Sequence, residues 1–198
     1  GQRYWQVLPL GPTSYGDSPY QSFSAFAGNP YYIDLQLLTE QGLLQPGEAA
    51  APDWGLRPDW VDYAKLYANR FLVLKKAWSR SRWEQDTDFS DFCRKNRTWL
   101  EDYALFMALK DSFGGREWQA WPEEIRLRRP AALADWQKRL RQETIFWKYV
   151  QYLFFSQWER LKDYANQKGI RMIGDIPIYV AMDSADVWIG GSRFQLDE

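Results

Sequence analysis

Two short stretches near opposite ends of the chain set polar side chains among apolar and aromatic neighbours: GDSPYQSFS at residues 16–24 and GDIPIYVAMDSAD at residues 174–186. The first, with its continuation, offers Asp17, Ser18, Tyr20, Ser22 and Asn29, and the second offers Asp175, Tyr179, Asp183, Ser184 and Asp186. Asp175 is the most pointed of these. It interrupts an apolar run from Met172 to Ile178, where an ionised carboxylate needs a partner or a ligand to offset its desolvation. Two partners stay open: backbone amides of a neighbouring loop, or hydroxyls of a bound substrate. Gly174 before it would let another backbone or a ligand come close. Ser18-Pro19-Tyr20 reads as a rigid turn presenting a phenol, which either anchors the loop on its own core or meets a sugar ring. Aromatic faces match the C–H surfaces of sugars while the hydroxyl hydrogen-bonds. Asp183 and Asp186 flank Ser184-Ala185, a pattern that more often caps a helix or shapes a turn.

Composition narrows what such groups can do. There is no His, which removes Ser–His and Cys–His nucleophilic machinery and most zinc and non-haem iron sites. A lone Cys93 excludes a disulfide framework and a Cys-based zinc site, and it reads as inert packing or a chance surface thiol. With 25 basic and 26 acidic residues, nothing points to nucleic acid or to an anionic membrane surface. No apolar run approaches the roughly 18 residues of a membrane span. GPTSYG lacks the spacing and the Lys of a phosphate loop, and no G-x-G-x-x-G occurs. Neither a metal nor a cofactor is therefore expected. The 12 Trp, 12 Tyr and 11 Phe either build a large core, as most of them are expected to, or line a surface that stacks on flat ligands. Carboxylates, hydroxyls and aromatics without a cation surplus fit a neutral polyhydroxylated ligand, with carbohydrate foremost.

The elements that must hold these groups are mostly helical. Tyr4 to Leu10 suits a strand, with Pro9 ending its ladder. Asp34 can cap a short helix from Leu35 to Gln41, stopped by Gly42. Pro46 to Pro58 is a connector. Apolar residues at Val61, Ala64, Leu66, Tyr67, Phe71, Leu74 and Trp78 predict a helix from Trp60 to Ser81. A shorter helix is expected from Asp88 to Lys95. Thr98-Trp-Leu-Glu101 fits a capping box that opens a helix running to Gly114-Gly115. Pro130 suits a first helical position. The stretch TIFWKYVQYLFFSQWERL, apolar around nearly its whole circumference, predicts a helix to about Lys168 that is packed on several sides. Gly169 then ends it, and Ile170 to Ala181 reads as a buried strand. A long helix, a Gly stop and an apolar strand are half of a βαβ unit, so the fold class is α/β. Parallel folds put their chemistry on loops at the C-terminal ends of strands, so both polar stretches should border one cleft.

The wording WQVLPLGPTSYGDSPYQSFSAFAGNPYYIDL, the helix YLFFSQWERLKDYANQKGIR and IGDIPIYVAMDSADVWIGGSRFQLDE resemble signature segments of the 4-alpha-glucanotransferases, the amylomaltase or disproportionating-enzyme family related to the α-amylases. The resemblance covers essentially the whole chain. It implies a (β/α)8 TIM barrel with helical insertions, of which this chain supplies about strands 2 and 3. Residues 1–42 would carry a barrel strand and its substrate-binding loop, residues 43–140 a helical insertion subdomain, and residues 141–198 a barrel helix, the next strand and its loop. The implied reaction moves α-1,4-glucan segments between malto-oligosaccharides or starch- and glycogen-type glucans with retention. That needs two carboxyl groups about 5 Å apart, one a nucleophile and one an acid/base. In the family these carboxylates, and a third that stabilises the transition state, lie on later strands. All would fall beyond Glu198, so no residue here is assigned a catalytic role. By the same resemblance Ser18, Tyr20 and Asp175 are substrate-binding positions. Met182 and Ile189-Gly-Gly-Ser192 depart from the usual family pattern beside that site.

The resemblance implies α-glucan partners, no nucleic acid or membrane, and a cytoplasmic location, or a plastid in a plant or alga. A non-catalytic α-glucan-binding module and a hydrolase of the same barrel clan are the alternatives. Starting without Met and stopping without a terminating signal, the chain reads as an internal piece of a longer protein. Two strands cannot close a barrel. Expressed alone, residues 1–198 are therefore expected to be aggregation-prone and inactive. Glucose release from maltotriose by this piece would overturn the partition.

Overall fold

The computed structural model describes residues 1–14, 16–57, 59–177 and 179–194. Tyr15 of the first signature segment, Pro58 of the connector, Ile178 of the expected second strand and residues 195–198 lie outside the described residues. The chain is mostly helical, with one small parallel sheet. Strand β1 (Tyr4–Gln6) lies beside β2 (Arg171–Ile173), with Trp5 opposite Met172. Arg171 N–H to Arg3 O at 2.8 Å and Val7 N–H to Ile173 O at 3.0 Å extend the pairing by one rung at each end. Among the described residues no helix is long and apolar enough to cross a membrane.

Asp side chains start the early helices, as their carboxylates satisfy first-turn N–H groups. Asp34 accepts from Gln36 and Leu37 at the head of α1 (Leu35–Glu40), and Gly42 follows its end with φ at +73°. Asp62 caps α2 (Tyr63–Arg80), and Asp86 caps α3 (Thr87–Lys95). Then come α4 (Arg97–Ser112), the single turn α5 (Glu123–Arg126), and α6 (Pro130–Arg139), which has the expected Pro at its first position. The long α7 (Arg141–Gln167) leads into β2, and α8 (Ala185–Ile189) follows under a Ser184 cap.

Three expectations are corrected. The Thr98–Glu101 capping box does not form, since Asn96 holds the cap position and Thr98 is already inside α4. Helix α3 runs almost directly into α4, and the Asn96 carbonyl already takes the Trp99 and Leu100 N–H groups at 3.2 and 3.0 Å. Glu101 turns instead to Lys148. The strands are also shorter than Tyr4 to Leu10 and Ile170 to Ala181, and they are not buried. Pairing occurs along one edge only, and Ile173, Ile176 and Tyr179 are 47%, 82% and 76% exposed. Lastly, the most enclosed helix is α4, with every residue from Tyr103 to Lys110 buried, whereas α7 is enclosed over its N-terminal half and opens to solvent after Trp158.

One hydrophobic core runs from Ala27 and Ile33 through α2, α4 and α7 to Val187 and Trp188. Its tightest point joins the aromatic loop to α7. Gly28 N–H donates to Gln151 Oε1 at 2.7 Å, and Gln151 Nε2 donates back to Gly28 O at 3.0 Å. A methyl group on Gly28 would meet the Phe154 ring at 1.9 Å, so only glycine lets the loop approach this closely. Gly28→Ala is expected to lower stability by about 1–3 kcal/mol, the usual cost of overpacking. A shift in the urea midpoint measures it, and adding Phe154→Leu should recover part of the loss.

Candidate functional site

Residues 12–14 run antiparallel to residues 21–23. Ser14 N–H bonds Gln21 O at 3.0 Å, Phe23 N–H bonds Pro12 O at 3.3 Å, and Thr13 bridges Ser22. At the tip Gly16 and Asp17 both take the left-handed conformation, with φ at +85° and +57°, which Gly and Asp tolerate better than most residues. The Asp17 carboxylate accepts the Tyr67 hydroxyl. Burial raises its pKa, against a smaller lowering by the Thr13 hydroxyl. Ser18 Oγ accepts the Tyr20 N–H at 3.3 Å and Ser18 O accepts Gln21 N–H at 3.1 Å, so the serine shapes the turn that carries the phenol.

Tyr20 is 41% exposed, and its hydroxyl donates to Asp175 Oδ2 at 2.8 Å across 155 residues of sequence. The other oxygen, Oδ1, accepts the Ile176 N–H at 2.8 Å. In place of the amides of a neighbouring loop that were one of the partners left open, Asp175 takes its own following amide and the phenol of the facing loop. That hydrogen bond is the first cause of the raised Tyr20 pKa, ahead of burial and the carboxylate charge. Beside the pair a cavity of about 190 Å³ is lined by Gly11, Phe26, Phe155, Trp158, Asp175 and Pro177. It is a half-apolar recess with a carboxylate at its edge. Among the described residues no three carboxylates or thiols gather as a metal ion would require.

The remaining candidates, Tyr179 apart, turn inward. Ser22 is buried and its hydroxyl serves the Pro12 and Ser24 carbonyls at 2.8 and 2.7 Å. Asn29 caps the 3-10 turn Pro30–Tyr32. Ser184 caps α8, and Asp186 Oδ2 accepts the Ala25 N–H at 2.9 Å. Asp183 pairs with the buried Lys110 and accepts the Trp118 N–H at 3.2 Å. Tyr179 is exposed. Two further backbone bonds, Ala181 N–H to Ser22 O at 3.3 Å and Ala185 N–H to Phe23 O at 2.8 Å, join the loops. The two polar stretches therefore do meet, and Tyr20 with Asp175 is the side-chain pair that faces water where they do.

Sequence reasoning missed the residues that hold the loops from behind. Gln151 and Gln157 sit in the helix read as apolar, and Arg70 and Lys110 sit in helices read for their periodicity. A lone polar residue inside an apolar run is the signal that would have found Gln151. Burial brings the Arg70 guanidinium down to about 10, and pushes the half-buried Cys93 thiol up to about 11, consistent with inert packing.

A family model described as 4-alpha-glucanotransferase matches residues 1–198. The 4-alpha-glucanotransferase of Clostridium butyricum is 47% identical over 198 residues, covering 100% of this chain and 41% of that protein. The 4-alpha-glucanotransferase of Thermus thermophilus is 50% identical over 202 residues, covering 100% of this chain and 39% of that protein. Among solved structures, the amylomaltase from Streptococcus agalactiae in complex with acarbose matches with a TM-score of 0.93 at 42% identity, over 100% of this chain and 40% of that one. An amylomaltase from Corynebacterium glutamicum matches in fold, with a TM-score of 0.70 at 17% identity, over 94% of this chain and 27% of that one. The chain spans about two fifths of the length of the curated relatives it matches.

Burial raises the Asp186 pKa above its ordinary value of 3.8, with the Ala25 amide pulling the other way. The folded state thus favours the protonated carboxyl. Its contribution to stability is complete below the unfolded-state pKa and is lost as pH rises through the folded one. Asp186→Asn, which keeps an oxygen for the Ala25 amide, is expected to be more stable than the parent near neutral pH. The advantage should disappear below about pH 3. Urea unfolding at the two pH values reads the difference.

Proposed function

The chain belongs to the 4-alpha-glucanotransferase family, and from that membership we propose that Ser18, Tyr20 and Asp175 grip the glucan in an enzyme that moves α-1,4-glucan segments between malto-oligosaccharides with retention of configuration. The observation that carries this reading is the hydrogen bond from the exposed Tyr20 hydroxyl to Asp175. It puts a phenol and a carboxylate side by side at the water-facing junction of the two loops. A carboxylate accepts up to about four hydrogen bonds, enough for neighbouring sugar hydroxyls beside its protein contacts. The phenol can turn from donor to Asp175 into donor or acceptor for the ligand. Ser18 acts by fixing the turn that presents Tyr20.

Retention demands a nucleophile and an acid/base about 5–5.5 Å apart. A phenol beside a single carboxylate is a binding arrangement, so the bond-breaking carboxylates are assigned to parts of the longer protein outside this chain. The strands β1 and β2 are read as two of the eight in a (β/α)8 barrel, about the second and third. Their parallel pairing supports this, as does the exposed apolar groove of about 400 Å³ lined by Trp5, Val7, Leu10, Leu37, Trp158 and Leu161. Such surface is normally covered on both faces in a parallel fold. Residues 43–140 are then the insertion between those strands.

In the full-length protein, Asp175→Ala should reduce malto-oligosaccharide disproportionation by the loss of charge-assisted hydrogen bonds, about 1.5–3 kcal/mol or roughly 10–150-fold. Tyr20→Ala should cost less and act mainly on KM. Wild-type turnover by the Asp175 variant would remove that carboxylate from the site.

A further inference from the structure

Lys110 lies on α4, behind the loops, and only 6% of its surface is exposed. Its ammonium group donates to Asp183 Oδ2 and to the Gly115 and Arg116 carbonyls at 3.2 and 3.3 Å. The same nitrogen sits 5.1 Å from the centroid of the Phe23 ring, within cation–π range. Thus one buried cation contacts both loops: the second through a carboxylate and the first through an aromatic face. Trp118 adds to the grip, its backbone N–H on Asp183 Oδ1 at 3.2 Å and its indole N–H on Met182 O at 2.9 Å.

Phe23 and Asp183 sit at the seam itself. Ser22 O and Phe23 O take the Ala181 and Ala185 N–H groups, the backbone bonds that join one loop to the other. Upstream on each loop, the seam leads to Tyr20 and to Asp175. Among the described residues neither of those side chains hydrogen-bonds the helical core: they bond each other, and Asp175 also takes the Ile176 N–H of its own turn. Their relative placement is therefore set from two sides, by the β1–β2 pairing that precedes them and by the seam that follows.

We infer that Lys110 is a positioning residue for the glucan site, a role that rests on the reading above: by clamping Asp183 and Phe23 together it sets the spacing between Tyr20 and Asp175. Lysine suits this task. Three donors meet three oxygen acceptors, and the compact charge still lies over a ring. Methionine at the same place would keep the volume of the stem and lose the charge.

The test uses the full-length protein. Lys110→Met should lower kcat/KM for malto-oligosaccharides roughly tenfold when Tyr20 is present, and less than about twofold in a Tyr20→Phe background, because groups that act through one another are not additive. Equal losses in both backgrounds would overturn the inference. Lys110→Arg, which keeps the charge, should retain more activity than Lys110→Met, and the reverse order would also count against it. A second reading needs no activity. Amide hydrogen exchange at Ala181 and Ala185 should quicken in Lys110→Met while amides of Val150 to Phe154 in α7 keep their rates. Uniform quickening, or none, would mean that Lys110 serves only general stability. Should Lys110→Met fail to fold, the double variant with Asp183→Asn removes both charges and leaves no orphaned carboxylate for the same exchange measurement. A full-length parent that transfers no glucan would refute the proposed function, and the exchange measurement would still decide whether Lys110 sets the seam.

Discussion

Backbone that is buried without being helix or strand must still find a partner for each N–H and C=O it hides. Residues 22–33 hold such backbone around their 3-10 turn, with Ser22, Ser24, Ala27, Gly28, Asn29, Pro30 and Ile33 all buried. Part of the demand is met locally. Ser24 Oγ accepts the Phe26 and Ala27 N–H groups at 3.1 and 3.3 Å, and Asn29 N–H reaches back to Leu10 O at 2.7 Å. The rest is met by polar side chains projecting from helices. Gln151 exchanges two hydrogen bonds with Gly28, and Gln157 does the same with Asp34, at 2.7 and 3.1 Å. A carboxamide carries one donor end and one acceptor end, so each Gln stands in for a missing ladder rung. The Arg70 guanidinium takes the Pro30, Tyr31 and Ile33 carbonyls.

This arrangement explains why a run of Gly, Ser, Pro and aromatics is ordered without regular structure. Its aromatic and small residues bury against α4 and α7, and its backbone is paid out to the helices in fixed places. An unpaired buried polar group costs about 1–3 kcal/mol, and whole domains are stable by only about 5–15 kcal/mol. Losing two such contacts would therefore remove a large share of that margin. Arg70 shows how firmly the scheme is held. Burial lowers its pKa, yet at about 10 the group stays charged near neutrality, with backbone carbonyls rather than a carboxylate as its hydrogen-bond partners.

The same logic sorts what the sequence could disclose. Caps were legible where a short polar side chain preceded a clear period, as at Asp34, and stops where glycine followed, as at Gly42 and Gly169. Thr98 misled because a capping box is a local pattern, and the Asn96 carbonyl already opens the helix by accepting the Trp99 and Leu100 N–H groups. Residues 170–181 misled because apolar composition does not say whether a sheet neighbour lies on both edges. Around α2, periodicity named Val61, which lies before the helix starts, and Tyr67, yet both are more than 40% exposed while Arg70 is buried. Type-based reading sends arginine to solvent. Only the loop packed against α2 gives it a reason to be inside. The Tyr20–Asp175 pair was foreseeable because strand ends in parallel folds share one face, whereas the Lys110–Asp183 pair depends on a helix whose placement no local pattern encodes.

Two of the three carboxylates of the second stretch, Asp183 and Asp175, divide the work by exposure. Asp183 is paired with a cation that is nearly shut off from water, so replacing that partner would leave a charge uncompensated in a low-dielectric place. Asp175 bonds a phenol that is two-fifths exposed, and water already competes for that contact. A net hydrogen bond in such a setting is worth little, and a sugar hydroxyl can displace it at small cost. What the exposed bond contributes is direction: it holds both groups near one geometry before a ligand arrives, so less freedom is lost on binding. A site made to exchange partners needs weak bonds of its own on supports that do not yield, and the inward-facing residues are what make the supports unyielding.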